Sequence, residues 1–160
     1  MIPKTQRAGR LFAIFLMLVT AGCDRVTKHI ATATLSGATA KSYLADTLRL
    51  EYAENSGAFL SLGSGLPDWI RTGVLTIGAG FAVVAVAIAA VKLRWTGAAF
   101  TGAMLFVSGG ASNLADRISR GSVVDFLNFG FGTLRTGIFN IADVGLIAGV
   151  VLMTISQKKG

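Results

Sequence analysis

Residues 69–91 read WIRTGVLTIGAGFAVVAVAIAAV, an apolar run long enough to cross a bilayer as a helix, which takes about 20 residues. Trp69 and Trp95 stand near its ends as interfacial anchors, and Asp68 is placed to cap its start. Three further apolar runs, at about 11–30, 96–114 and 138–155, give an all-α membrane protein with four transmembrane helices. Composition agrees. Of 160 residues 52% are hydrophobic and only 14% charged, against about 25% charged in a soluble domain. Mean hydropathy is +0.64. Disorder, collagen and a disulfide scaffold are excluded, since Cys23 is the single cysteine and lacks the partners of a zinc site.

The net charge of +7 would in a soluble protein suggest nucleic acid. Its location argues otherwise. Lys4, Arg7 and Arg10 precede the first run, Lys92 and Arg94 lie between the second and third, and Lys158 and Lys159 end the chain. No acid accompanies these seven, and the other segments sum to zero. Short loops rich in Lys and Arg stay in the cytoplasm. The expected topology therefore has both termini cytoplasmic, four crossings, and two outside loops at 31–67 and 118–137. No repeat or low-complexity linker divides the chain, so residues 1–160 read as one domain.

A cleavable signal is the competing reading of the N-terminus, because LVTAGC ending at Cys23 is somewhat like a lipobox. Thr20 stands where lipoboxes favour Leu, and further spans follow instead of a polar secreted domain. In the first outside loop Leu48, Leu50 and Tyr52 alternate with Arg49, Glu51 and Ala53, the pattern of a half-buried strand. VVDFLNFGF at 123–131 suits another strand or an interfacial segment. Small residues crowd the third run, which lets helices approach closely in lipid.

Ionised side chains inside a span cost roughly 2.5 to 3.5 kcal/mol at mid-helix, so each needs a partner or a task. Asp24 and Lys28, four apart with the acid first, read as a structural ion pair. Asn113, Asp116 and Arg117 share one helix face and serve either structure or substrate orientation. Asp125 and Asp143 have no basic residue at helical spacing, and both sit near the outer face. Brought together, two carboxylates share a proton, one acting as base on a water and the other as acid. Spacing alone equally allows two separate solvated side chains. With one His, His29, and Cys23 on another helix face, a Ser or Cys triad or a His metal site lacks its parts.

Five strings in order, DRVTK at 24–28, ENSGAF at 54–59, GGASNLADR at 109–117, VVDF at 123–126 and FNIAD at 139–143, resemble the lipoprotein signal peptidase (signal peptidase II) family across nearly the whole chain. The resemblance implies a bacterial inner-membrane aspartic endopeptidase that cuts prolipoproteins before a diacylglyceryl-modified Cys. It implies Asp125 and Asp143 as the catalytic pair, Asn55, Gly57, Asn113, Arg117 and Asn140 as substrate-positioning residues, and Asp24, Lys28 and Asp116 as structural ones. It implies a small sheet and a helical segment on the outer face, with the active site near that face. Membrane lipids are the expected surroundings, and no metal, organic cofactor or nucleic acid is expected. Oligomeric state and precursor preference are not legible. Departures fall at Arg25, at Ala58, Phe59 and Leu60, and at Thr136 and Gly137, and they bear on the shape of the lipid-side pocket. The rival from another class is a small four-span transporter, whose intramembrane charges would relay protons.

Overall fold

The computed structural model describes residues 4–56 and 67–157. In chain order the elements are helix α1 (Lys4–Leu35), strands β1 (Lys41–Tyr43) and β2 (Leu48–Asn55), and helices α2 (Asp68–Lys92) and α3 (Gly97–Arg120). Strands β3 (Val123–Phe131) and β4 (Leu134–Arg135) and helix α4 (Ile141–Gln157) complete them. The protein is mostly helical with one small antiparallel sheet. A further helical segment on the outer face is not found among the described residues.

α1 overruns the expected span at both ends. No proline interrupts the chain between positions 3 and 67, and at 32 residues the helix extends roughly 48 Å. It ends where the Ala38 amide donates to the Leu35 carbonyl and Gly37 turns left-handed (φ 75°). α3 likewise runs past residue 114, to Gly121. That glycine takes φ 77° and donates its amide to the Arg117 carbonyl, the usual left-handed helix stop. Pro67, not Asp68, holds the N-cap position of α2.

α3 is the central helix, packed against α1, α2 and α4. Glycines bring α3 and α4 together. A Cβ on Gly109 would collide with the Ala142 carbonyl, and one on Gly102 would lie 2.7 Å from the Gly149 oxygen. Ser108 Oγ ties α3 to α1 by donating to the Met17 carbonyl at 2.7 Å. One buried apolar cluster of Ala13, Ala90, Phe100 and Ala103 joins the ends of α1, α2 and α3, with Trp95 packed partly against it. Trp95 thus turns inward, while Trp69 is exposed as an interfacial residue would be.

The outward faces are apolar too. Phe12, Phe15 and Leu18 on α1, Ile77 and Phe81 on α2, and Ile147 on α4 are all at least half exposed. By length and composition Gly73–Lys92 is the one stretch among the described residues long and apolar enough to cross a membrane. Ile141–Ser156 is apolar but shorter. α1 and α3 fall below that measure for different reasons: α1 carries Asp24, Arg25 and Lys28, whereas the uncharged stretch of α3 before Asp116 is diluted by Gly, Ser, Thr and Asn.

The sheet has the order β1-β2-β3-β4. β2 and β3 are the strands anticipated from alternation and β-branching, although the β2 side chains are mostly half-buried on both faces. β1 and β4 are too short to leave a pattern. Asp46 locks the β1–β2 turn. Its carboxylate accepts from Arg49 at 2.7 and 2.6 Å and from Ser42 at 2.7 Å, and these donors hold it well below the usual carboxylate range. Arg135 in β4 reaches the Asp46 carbonyl at 2.8 Å, joining the two hairpins. Beneath the sheet Phe126 packs with Ala31 and Leu35, which seats β3 on the end of α1.

Candidate active site

Asp125 lies in β3 opposite Ala53 of β2 and is buried, with 3% of its surface exposed. After β3 the chain makes the β4 hairpin and returns. Phe139 then pairs with Leu127, its amide donating to the Leu127 carbonyl at 2.8 Å and its carbonyl accepting from Leu127 at 2.8 Å. This pairing keeps residues 138–140 extended, so α4 begins at Ile141 and not at 138. It also sets Asn140 beside Asp125.

Asn140 then starts the helix. Its Oδ1 accepts the Asp143 amide at 3.0 Å, and the Asp143 carboxylate accepts the Asn140 amide at 3.1 Å. This is the reciprocal arrangement of a capping box, here with an Asp at the third helical position. The same Asn140, completely buried, donates Nδ2 to Asp125 Oδ1 at 2.7 Å. One residue therefore touches both carboxylates. The structure brings Asp125 and Asp143 to a common asparagine and does not leave them as separate solvated groups.

Each carboxylate has a second donor. Asn55 Nδ2 lies 3.1 Å from Asp125 Oδ2, and Asn113 Nδ2 lies 2.8 Å from Asp143 Oδ1. Burial, opposed by the Asn55 hydrogen bond and reinforced by the negative charge of Asp143, pushes the Asp125 carboxyl up to about 6. A site titrating there can hold one proton between two carboxylates near neutral pH.

Behind the pair lies a buried polar layer. Lys28 stands 2.8 Å from Asp24 and 2.8 Å from Asp116. Asp24 is more than half of an ion pair. Its Oδ2 accepts Ser112 Oγ at 2.6 Å, and its Oδ1 accepts the Ala142 amide at 2.9 Å, so α1 satisfies an orphan donor in the first turn of α4. Arg25 donates to Asp116 Oδ1 and to the Ser112 carbonyl, both at 2.6 Å. Sequence reasoning missed Ser112 and Arg25 as parts of this layer. A small hydroxyl beside Asn113, four residues before Asp116, was the available signal.

Asn113, Asp116 and Arg117 divide their face between two neighbours. Asp116 turns to α1, while Asn113 and Arg117 line a groove that also contains Asp143. The groove, about 520 Å³, runs between α2, α3 and α4, and its walls are apolar, including Ala79, Val83, Phe106, Leu146, Ile147 and Val150. Arg117 Nη1 is buried there with no hydrogen-bond partner among the described residues. Gly57 lies outside the described residues, as do Ala58, Phe59 and Leu60. Among the described residues no group of three or more His, Cys, Asp or Glu is arranged to hold a metal ion.

A family model described as signal peptidase (SPase) II matches residues 16–158. The lipoprotein signal peptidase of Hydrogenovibrio crunogenus is 34% identical over 146 residues, covering 89% of this chain and 83% of the relative. That of Bifidobacterium longum subsp. infantis is 34% identical over 169 residues, covering 94% and 84%. A solved structure described as a bacterial membrane enzyme superposes with a TM-score of 0.78 at 27% identity, covering 92% of this chain and 88% of the other.

Proposed function

The chain belongs to the signal peptidase II family, and on that premise we propose that Asp125 and Asp143 are the carboxylate pair with which it cleaves the signal peptide from lipoprotein precursors. The observation that carries the assignment is Asn140, which donates to Asp125 Oδ1 at 2.7 Å through its side chain and to Asp143 Oδ2 at 3.1 Å through its backbone. Of the two carboxylates, Asp143 lines the apolar groove together with Asn113 and Arg117.

The chemistry follows from a pair holding one proton. The ionised carboxylate takes a proton from water as the water oxygen attacks the scissile carbonyl carbon. The protonated partner donates to the carbonyl oxygen, giving a tetrahedral diol; the proton gathered from water then passes to the leaving amine as the C–N bond breaks, and one hydroxyl of the diol returns its proton to the partner carboxylate as the C=O re-forms. Asn55, Asn113 and Asn140 hold the carboxylates. The unpartnered Arg117 Nη1 offers a donor to the substrate backbone, and Gly57 belongs with it by the family's pattern. Asp24, Lys28 and Asp116 carry the layer behind. The groove receives the apolar helix of the signal peptide while the precursor's diacylglyceryl chains stay in the bilayer.

We read residues 1–160 as one peptidase domain of the bacterial inner membrane with four transmembrane helices. The exposed apolar faces of α1, α2 and α4 support this, since a surface of that kind is stable against lipid and not against water. The charge distribution along the chain supports cytoplasmic termini, with the sheet and the carboxylate pair toward the outer face. A small four-span transporter, the other class consistent with buried charge, has no observation in its favour.

The test is single-turnover cleavage of a diacylglyceryl-modified precursor in detergent by Asp125→Asn, Asp143→Asn and the double variant, with precursor binding measured alongside. Each single change is expected to remove nearly all turnover, the double to cost little more, and binding to persist. Substantial turnover by either single variant would sink the pair.

A further inference from the structure

Lys28 does more than pair with its helical neighbour Asp24. Its ammonium, on a residue only 4% exposed, stands 2.8 Å from each of three oxygens: Asp24 Oδ2, Asp116 Oδ2 and Asn113 Oδ1. The two carboxylates are ion-pair partners and the Asn113 oxygen takes the hydrogen bond, and an ammonium has nothing to accept with. The end of the Asn113 amide that faces Lys28 must therefore be its oxygen. The nitrogen end then faces the other way, where it donates to Asp143 Oδ1 at 2.8 Å.

Asn140 gives the Asn113 oxygen a second donor at 3.2 Å. That nitrogen also serves Asp125 Oδ1 at 2.7 Å and the Val124 carbonyl at 3.3 Å, with two hydrogens for three acceptors. The ammonium is the stronger constraint, being charged and shorter.

We propose that Lys28 is a positioning residue for peptide cleavage: by fixing the Asn113 amide it presents a donor to Asp143 and keeps that carboxylate able to take a proton from water. This inference rests on Asp125 and Asp143 being the catalytic pair. With Lys28 replaced, the Asn113 amide is free to turn over. Its oxygen then meets Asp143 oxygen to oxygen, a contact relieved when Asp143 holds a proton. The charged groups facing Asp143 are Lys28 and Asp24 from α1, Arg117 from α3 and Asp125 from β3, while Asp116 of α3 faces Lys28 and Arg25. Arg25, bonded to Asp116, keeps two bases against the two acids of the layer.

Lys28→Met alone strands a buried acid, so the variant of choice is Asp24→Asn with Lys28→Met, which removes one charge of each sign. The full chain in detergent is assayed by single-turnover cleavage of a lipidated precursor across pH, with Asn113 intact and with Asn113→Ala. With Asn113 intact, the acid limb of the rate profile is expected to move up by about one pH unit and the plateau to fall roughly tenfold, with half-saturation unchanged. With Asn113→Ala, the same change is expected to alter neither by more than about twofold. A shift of equal size in both backgrounds would show that Lys28 acts by its charge alone, and no shift in either would show a purely structural role. Both results overturn the proposal. Infrared absorption of protonated carboxyls at pH 7 reads the same effect without turnover. It is expected to grow on substitution only where Asn113 is present, and growth in both backgrounds or in neither counts against the proposal. Failure of the pair itself is seen separately, as turnover retained by Asp143→Asn.

Discussion

Asp125 combines deep burial with a carboxyl pushed up to about 6 from an ordinary 3.8, and that has a consequence for stability. The folded state binds a proton between those values that the unfolded chain has lost. The contribution of this carboxyl is therefore largest below about pH 4 and disappears as pH rises through about 6. For Asp125→Asn that loss should vanish, leaving the variant more stable relative to wild type by on the order of 2 to 3 kcal/mol above pH 7 than below pH 4. Thermal unfolding in detergent across that range checks it, and parallel curves for the two proteins would contradict it. Side-chain roles were unevenly legible in the sequence. Asp24 and Lys28 show their helical spacing openly, because i and i+4 are neighbours on any helix. Their bonds to Ala142 and Asn113 join residues 118 and 85 positions apart, and no local pattern encodes those. Nor does eighteen-residue spacing reveal that Asp125 and Asp143 meet, since the meeting depends on Phe139 returning to Leu127.

Among the elements, the α3–α4 contact sets the site most directly, because Asn113 and Asp143 face each other across it. Gly109 makes that contact possible by giving up a Cβ to the Ala142 carbonyl, one residue before Asp143. Gly109→Ala should therefore force the first turn of α4 away, with a cost of about 1 to 3 kcal/mol and a loss of cleavage larger than the loss of fold. Gly78→Ala on α2, where a Cβ would meet nothing within 4 Å, is the control and should change neither. Unfolding midpoints and single-turnover rates of the two proteins make the comparison. The runs of small residues at 97–112 announced close approach, but not which glycine touches what. Helix ends were less legible than helix centres. α1 continues through polar residues because nothing breaks it, while α4 starts three residues late because a bridge to β3 outcompetes helix for residues 138–140. β1 and β4, three and two residues long, exist through pairing with longer neighbours.

For the whole molecule, the four apolar runs marked where the four long helices lie, and the groove between α2, α3 and α4 was hidden because it is a space between elements. The expected topology is open to a direct check. Reporters fused after Arg94 or Lys159 should read as cytoplasmic, and those inserted near Ala40 or Ser122 as external; a cytoplasmic reading at Ala40 would undo the four-span arrangement. One bond described above also bears on how the protein comes into being. Asp24, made early, completes its partners only when the Ala142 amide arrives 118 residues later, at the same turn that delivers Asp143. During synthesis the first helix must wait with an acid and an ammonium that only its own helical spacing can reconcile. Closing so long a loop comes late in assembly. With Asp125 and Asp143 proposed as the cleaving pair, the growing chain is thus without hydrolytic competence until α4 has formed against α1 and α3, and the neighbouring nascent proteins it emerges among are safe from it until then.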